Sequence, residues 1–200
     1  IHSPYLKEKQ GQLYVDYTRG LYNVLERIKN KYPQLPMMLC SGGGGRCDYE
    51  ALKYFTEFWC SDNTDPYERL YIQWSMSKFF PVKAMAAHVT HWNKQVDLKF
   101  AVDVASMCKL GFDIDYSKLS DEDKEFCRLA LVNYKRIKST ILDGNQYRLV
   151  SPYESNHAAV AYVNAAQNHA VLFAYDLLPR YQEPVVKVKF QGLAADKKYQ

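Results

Sequence analysis

The feature that most constrains this chain is an alternation of helical and strand-like segments that starts with a helix and runs to about residue 143. Apolar residues recur at helical spacing over Leu13–Lys31 (Leu13, Tyr17, Leu21, Val24, Leu25, Ile28), and Pro33 and Pro36 stop that helix. Residues 36–40 then read as a buried strand, and residues 41–46, with four consecutive glycines, as the turn after it. A short helix over 49–54 and a short strand over 57–60 follow. Next come a helix from Pro66 to about Phe80, a short apolar stretch over 82–89, a helix over 98–109 and a strand over 110–114. Ser120 with Asp123 opens a last helix, closed by Asp143-Gly144. Helix and strand repeated in this way predict parallel β/α units, about four of them. Four units do not close a barrel, which needs eight strands, whereas a doubly wound sheet accepts four. Periodicity leaves both architectures open.

After Gly144 the pattern changes. Residues 146–153, 158–163, 170–175 and 185–190 are strand-like runs separated by turn residues, with period-two alternation clearest in the last. An antiparallel β domain over 144–200, appended to an α/β part over 1–143, is the expected organisation.

With 48% hydrophobic residues among 200, the chain can bury a sizeable core. The net charge of +4 is spread without a basic run, so neither a nucleic-acid groove nor an anionic membrane patch is expected. No stretch approaches the roughly 20 apolar residues of a membrane span. The chain opens on Ile1-His2-Ser3, with neither Met nor a targeting pattern, and a missing N-terminus is the expectation. Five cysteines without a CxxC pair support neither a disulfide framework nor a zinc knuckle, and point to a reducing, cytoplasmic setting. Seventeen tyrosines suit a sugar-binding cleft, but they suit an ordinary core as well.

The stretch Ser61-Asp62-Asn63-Thr64-Asp65-Pro66 holds two carboxylates of different kinds. Asp65 precedes Pro66 and lies three residues before Glu68, the signature of an N-cap with a capping box. Asp62 lies outside that cap, where a strand hands over to a helix, which is where α/β proteins place chemistry. The Gly run lacks the Lys-Ser/Thr of a phosphate loop, having Arg46-Cys47 instead. Glycine there serves either a plain turn or close approach of a ligand to backbone. Cys40 at the preceding strand end is either a core thiol or a small side chain leaving room for a bound group. Trp59 is either core or a stacking platform. His88 and His91 have no carboxylate at metal spacing, so no metal site is expected.

Cys40-Ser41-Gly42-Gly43-Gly44-Gly45-Arg46, Trp59-Cys60-Ser61-Asp62-Asn63-Thr64-Asp65 and Glu68-Arg69 resemble the family-36 α-galactosidases, the melibiases. Ala86-Ala87-His88-Val89, Leu110-Gly111-Phe112-Asp113 and residues 147–152 extend the resemblance, in the family's order, over essentially the whole chain. The resemblance implies the second half of a (β/α)8 barrel followed by an antiparallel β-sandwich domain. It implies retaining hydrolysis of terminal α-galactosyl groups from melibiose- or raffinose-type sugars, without a cofactor. Asp62 matches the general acid/base, Cys40 and Gly43 match residues that touch the galactosyl unit, and Trp59 matches a ring wall. The family's nucleophile, the Asp of a Lys-Trp-Asp segment, has no counterpart here, so the isolated chain is expected to be inactive. Cys60 stands where the family usually has Thr or Pro. Galactosyl oligosaccharides are the implied partners, and the resemblance leaves room for a homo-oligomer. Alternatives are an α-N-acetylgalactosaminidase, a galactosyl-transferring relative, or a non-catalytic carbohydrate-binding fragment.

Overall fold

The computed structural model describes residues 2–40, 45–91, 96–182 and 186–199. Helix α1 (Leu13–Lys31) has the predicted bounds, but of its apolar stripe only Leu25 is buried. Strands β1 (Met38–Leu39), β2 (Glu57–Trp59), β3 (Met85–Thr90) and β4 (Lys109–Asp113) form one parallel sheet in chain order. Helix α2 (Pro66–Met76) connects β2 to β3, and α3 (Leu98–Ser106) connects β3 to β4. The long helix α4 (Asp121–Asp143) leads to an antiparallel sheet of β5 (Asn145–Val150), β6 (His157–Val163) and β7 (Ala170–Asp176). No helix among the described residues is long and apolar enough to cross a membrane.

Register explains what the parallel sheet presents. Phe58 pairs with Met85, Trp59 with Ala86, His88 with Gly111 and Thr90 with Asp113. Because strand side chains alternate with period two, Phe58, Met85, Ala87, Val89, Leu110 and Phe112 share one face. Glu57, Trp59, Ala86, His88, Thr90, Lys109, Gly111 and Asp113 share the other. The first face is the core: Phe58 and Met85 are fully buried, with Ala87 and Val89 nearly so. The second is polar, and Lys109 reaches Glu57 at 3.6 Å across the small Ala86. The buried strand expected over 36–40 is also corrected. Strand β1 is only two residues long with Leu39 alone buried, and Cys40 after it is exposed.

The main core joins both sheets. Leu70, Trp74, Val104, Met107, Ile141, Val160 and Tyr162 belong to one buried cluster. Tyr134 of α4 pins the start of β4 by donating to Cys108 O at 2.7 Å and accepting from Leu110 N. A smaller cluster of Leu39, Ala51, Phe58 and Phe80 lies by β1.

Several local expectations change. Residues 186–190 form no strand, and the described residues hold one three-stranded antiparallel sheet where a sandwich was expected. Val186, which is exposed, and Val188 instead border a groove with Val150, Ala158 and Ala174. Gly144 caps α4 at φ −83°, outside the left-handed region. Its reason is space: a Cβ there would fall 2.6 Å from Val163 O. Asp65 is the N-cap of α2, accepting from Tyr67 N and Glu68 N at 3.0 and 3.2 Å. The reciprocal half of the expected capping box is supplied by Asn63, whose Oδ1 accepts from Asp65 N at 3.1 Å, and not by Glu68. Asp65→Ala should therefore lower stability by about 1 kcal/mol, read as a reduced urea midpoint at unchanged slope, whereas Glu68→Ala should stay within about 0.5 kcal/mol.

Candidate active site

Three parallel strands deliver their C-terminal ends to one cleft of about 400 Å³, lined by Trp59, Asp62, Thr64, Thr90, His91 and Asp113. Trp59, Thr90 and Asp113 come from the polar face defined by register, at the end where α/β folds collect functional groups. A groove of similar size against the antiparallel sheet has mainly apolar walls (Val150, Ala158, Ala174, Val186, Val188) and lies away from these strand ends.

The loop from Ser61 to Asp65 is held by its own side chains. Ser61 Oγ accepts from Asn63 N at 3.1 Å, Asn63 Oδ1 from Asp65 N, and Thr64 Oγ1 meets Thr90 Oγ1 at 2.8 Å. This bracing presents Asp62 as an exposed carboxylate. The half-buried Trp59 donates its indole Nε1–H to Asp62 Oδ1 at 3.0 Å. Asp62 Oδ2 has no hydrogen bond among the described residues, so Trp59 holds one oxygen of the carboxylate and leaves the other without a partner there. A carboxyl group oriented in this way at a cleft is suited to proton transfer.

Behind Trp59 the packing is specific. The His88 ring lies 4.8 Å from the Trp59 ring, tilted by 60°, and the Arg69 guanidinium carbon sits 5.1 Å over it. Part of the expected ring wall is therefore in contact with the protein itself. Burial holds the His88 imidazole below its usual range, while Asp113 pulls in the opposite direction. At the cleft's far side His91 Nε2 accepts from Asp115 N.

Of the residues singled out from the sequence, Trp59 and Asp62 are brought together. Cys40 leaves the same edge of the sheet, directly after Leu39, which pairs with Phe58, but it does not line the cleft. Gly43 lies outside the described residues. Thr64, Thr90 and Asp113 were not anticipated as cleft residues. The signal was available for Asp113, since it ends a strand in the same sense as the segment that leads to Asp62.

A family model for melibiases matches residues 1–144, and one for the glycosyl hydrolase family 36 C-terminal domain matches residues 157–200. The chain belongs to glycosyl hydrolase family 36. Alpha-galactosidase 1 of Pediococcus pentosaceus is 36% identical over 198 residues, covering 96% of this chain and 27% of that protein. The bifunctional alpha-galactosidase/sucrose kinase AgaSK of Mediterraneibacter gnavus is 37% identical, covering 94% of this chain and 21% of that protein. The crystal structure of family-36 alpha-galactosidase AgaA from Geobacillus stearothermophilus superposes with a TM-score of 0.92 at 33% identity, over 98% of this chain and 28% of that one. Variants of AgaA have been solved with raffinose and with stachyose. The family-36 chain thus spans about a quarter of the length of the curated relatives it matches.

The site's packing in this family-36 chain depends on a glycine. A Cβ at Gly111 would fall 2.5 Å from His88 Nε2, so the ring fits only because Gly111 has no side chain. Gly111→Ala should push His88 against Trp59 and cost about 1–3 kcal/mol. Combining it with His88→Ala should recover most of that loss in a double-mutant cycle. Additive losses, read from denaturation midpoints, would show that the two positions are not coupled.

Proposed function

We propose that this chain is the acid/base-bearing part of a retaining α-galactosidase acting on raffinose- or melibiose-type oligosaccharides. The observation that carries the proposal is the Trp59 Nε1–Asp62 Oδ1 hydrogen bond at the strand-end cleft, in a chain of glycosyl hydrolase family 36. The relatives' names supply the substrate class, since they are alpha-galactosidases and AgaA variants hold raffinose and stachyose.

In this reading the parallel sheet is the second half of a (β/α)8 barrel over 1–143, and 144–200 belongs to a C-terminal β domain. The consecutive strand order β1-β2-β3-β4 supports it, because a doubly wound sheet reverses order at a switch point. The polar sheet face would then line the barrel interior. Asp62 protonates the departing glycosidic oxygen through Oδ2 while Trp59 holds Oδ1. It then takes a proton from the water that opens the glycosyl-enzyme. As the family resemblance implies, Cys40 and Gly43 would touch the galactosyl unit, Cys40 from the same edge of the sheet although outside the Trp59–Asp62 cleft, and Trp59 limits the pocket beside it. The attacking carboxylate comes from residues outside this sequence, about 5 Å from Asp62 across the sugar, as retention requires. Acid/base and nucleophilic chemistry of this kind needs no cofactor.

In the full-length enzyme Asp62→Ala should reduce turnover of raffinose, whose leaving group needs protonation, by roughly 10²–10⁴-fold. Nitrophenyl α-galactoside leaves without that help, so its first step should suffer less, and added azide should restore the second step with a galactosyl azide as product. Equal losses on both substrates with no azide adduct would remove Asp62 from the acid/base role.

A further inference from the structure

Arg69 is 2% exposed and has no carboxylate within ion-pair distance among the described residues. A buried cation without a counter-ion is costly, and an apolar side chain of similar volume often packs there at less cost. Burial pulls the guanidinium below the usual arginine range, and Nε has no hydrogen-bond partner among the described residues. Ordinary stability does not account for this residue.

Its contacts do. Nη1 donates to Ser61 O at 3.1 Å and Nη2 to Ala86 O at 2.7 Å. Ser61 is the residue directly before Asp62, and Ala86 is the β3 partner of Trp59. The guanidinium carbon lies 5.1 Å over the Trp59 ring, within cation–π range. One planar fork therefore fixes the backbone on which Asp62 is carried, the strand beside Trp59, and the ring that holds Asp62 Oδ1. A lysine has the charge but not the fork, and could satisfy only part of this set.

We infer that Arg69 is a positioning residue for the acid/base: it holds the Trp59–Asp62 pair in the geometry for proton transfer from within the core, without touching substrate. The inference rests on the assignment of Asp62 as acid/base. A displacement of about 1 Å at a reacting group can cost roughly 100-fold, so loosening this fork should act on protonation before it acts on binding.

The test uses the full-length enzyme with Arg69→Lys, Arg69→Met and, as a control, Gln73→Met. Gln73 lies one turn further along α2, is also 2% exposed, and donates to Val104 O, away from the Asp62 loop. kcat and KM are measured on raffinose and on nitrophenyl α-galactoside, together with Tm, and Asp62→Ala is run alongside. Arg69→Met should lower kcat on raffinose by roughly 10- to 100-fold with KM nearly unchanged, and lower the glycosylation rate on the aryl substrate far less. Arg69→Lys should restore part of the raffinose rate. Gln73→Met should lower Tm with equal, small effects on both substrates. If Arg69→Met is not recovered folded, Arg69→Lys carries the same comparison against Gln73→Met. Equal losses on both substrates in the Arg69 variants, with Asp62→Ala retaining its leaving-group dependence, would overturn the positioning role and leave the acid/base assignment intact. Loss of that dependence in Asp62→Ala itself would overturn both.

Discussion

Parallel pairing in a fixed register governs this molecule, because with period two it decides what each face of the sheet carries. Phe58 opposite Met85 commits β2 and β3 to an apolar face that packs on the helices. The same register places Trp59, His88, Thr90 and Asp113 together on the opposite face. A slip by one residue on any strand would exchange core for site. Folding and function are therefore linked through one constraint, and neither Trp59 nor Asp113 could change faces without disturbing the packing of Phe58 or Phe112.

The polar face also shows how small residues make room for large ones. Ala86 lies low enough for Lys109 to reach Glu57, and Gly111 leaves space for the His88 ring, which in turn lies against Trp59. Arg69 approaches the same indole from α2. The carboxylate at the mouth of the cleft thus depends on groups distributed over three strands and one helix.

Much of this was legible in the sequence. The bounds of α1, the Asp65 cap, the four parallel strands and the change to antiparallel pairing after Gly144 all followed from periodicity and capping chemistry. Burial was less legible. The stretch 82–89 reads as a short apolar run, and only register reveals that Ala86 and His88 share a face with Thr90. Residues 186–190 have the alternation of a strand but form no ladder and are largely exposed. The donation from Trp59 to Asp62 depends on a side-chain direction that spacing does not encode, although their three-residue separation is visible. Arg69 enters the sequence reading only beside Glu68, among the residues that carry the family resemblance, and it is its burial that marks it out.

The most direct test of the account is a crystal structure of the full-length enzyme with an uncleaved α-galactoside. Asp62 Oδ2 should lie about 2.6–3.2 Å from the glycosidic oxygen, with Trp59 Nε1 still bonded to Oδ1. A complex in which Asp62 faces away, and another carboxylate of the cleft such as Asp113 approaches that oxygen, would contradict it.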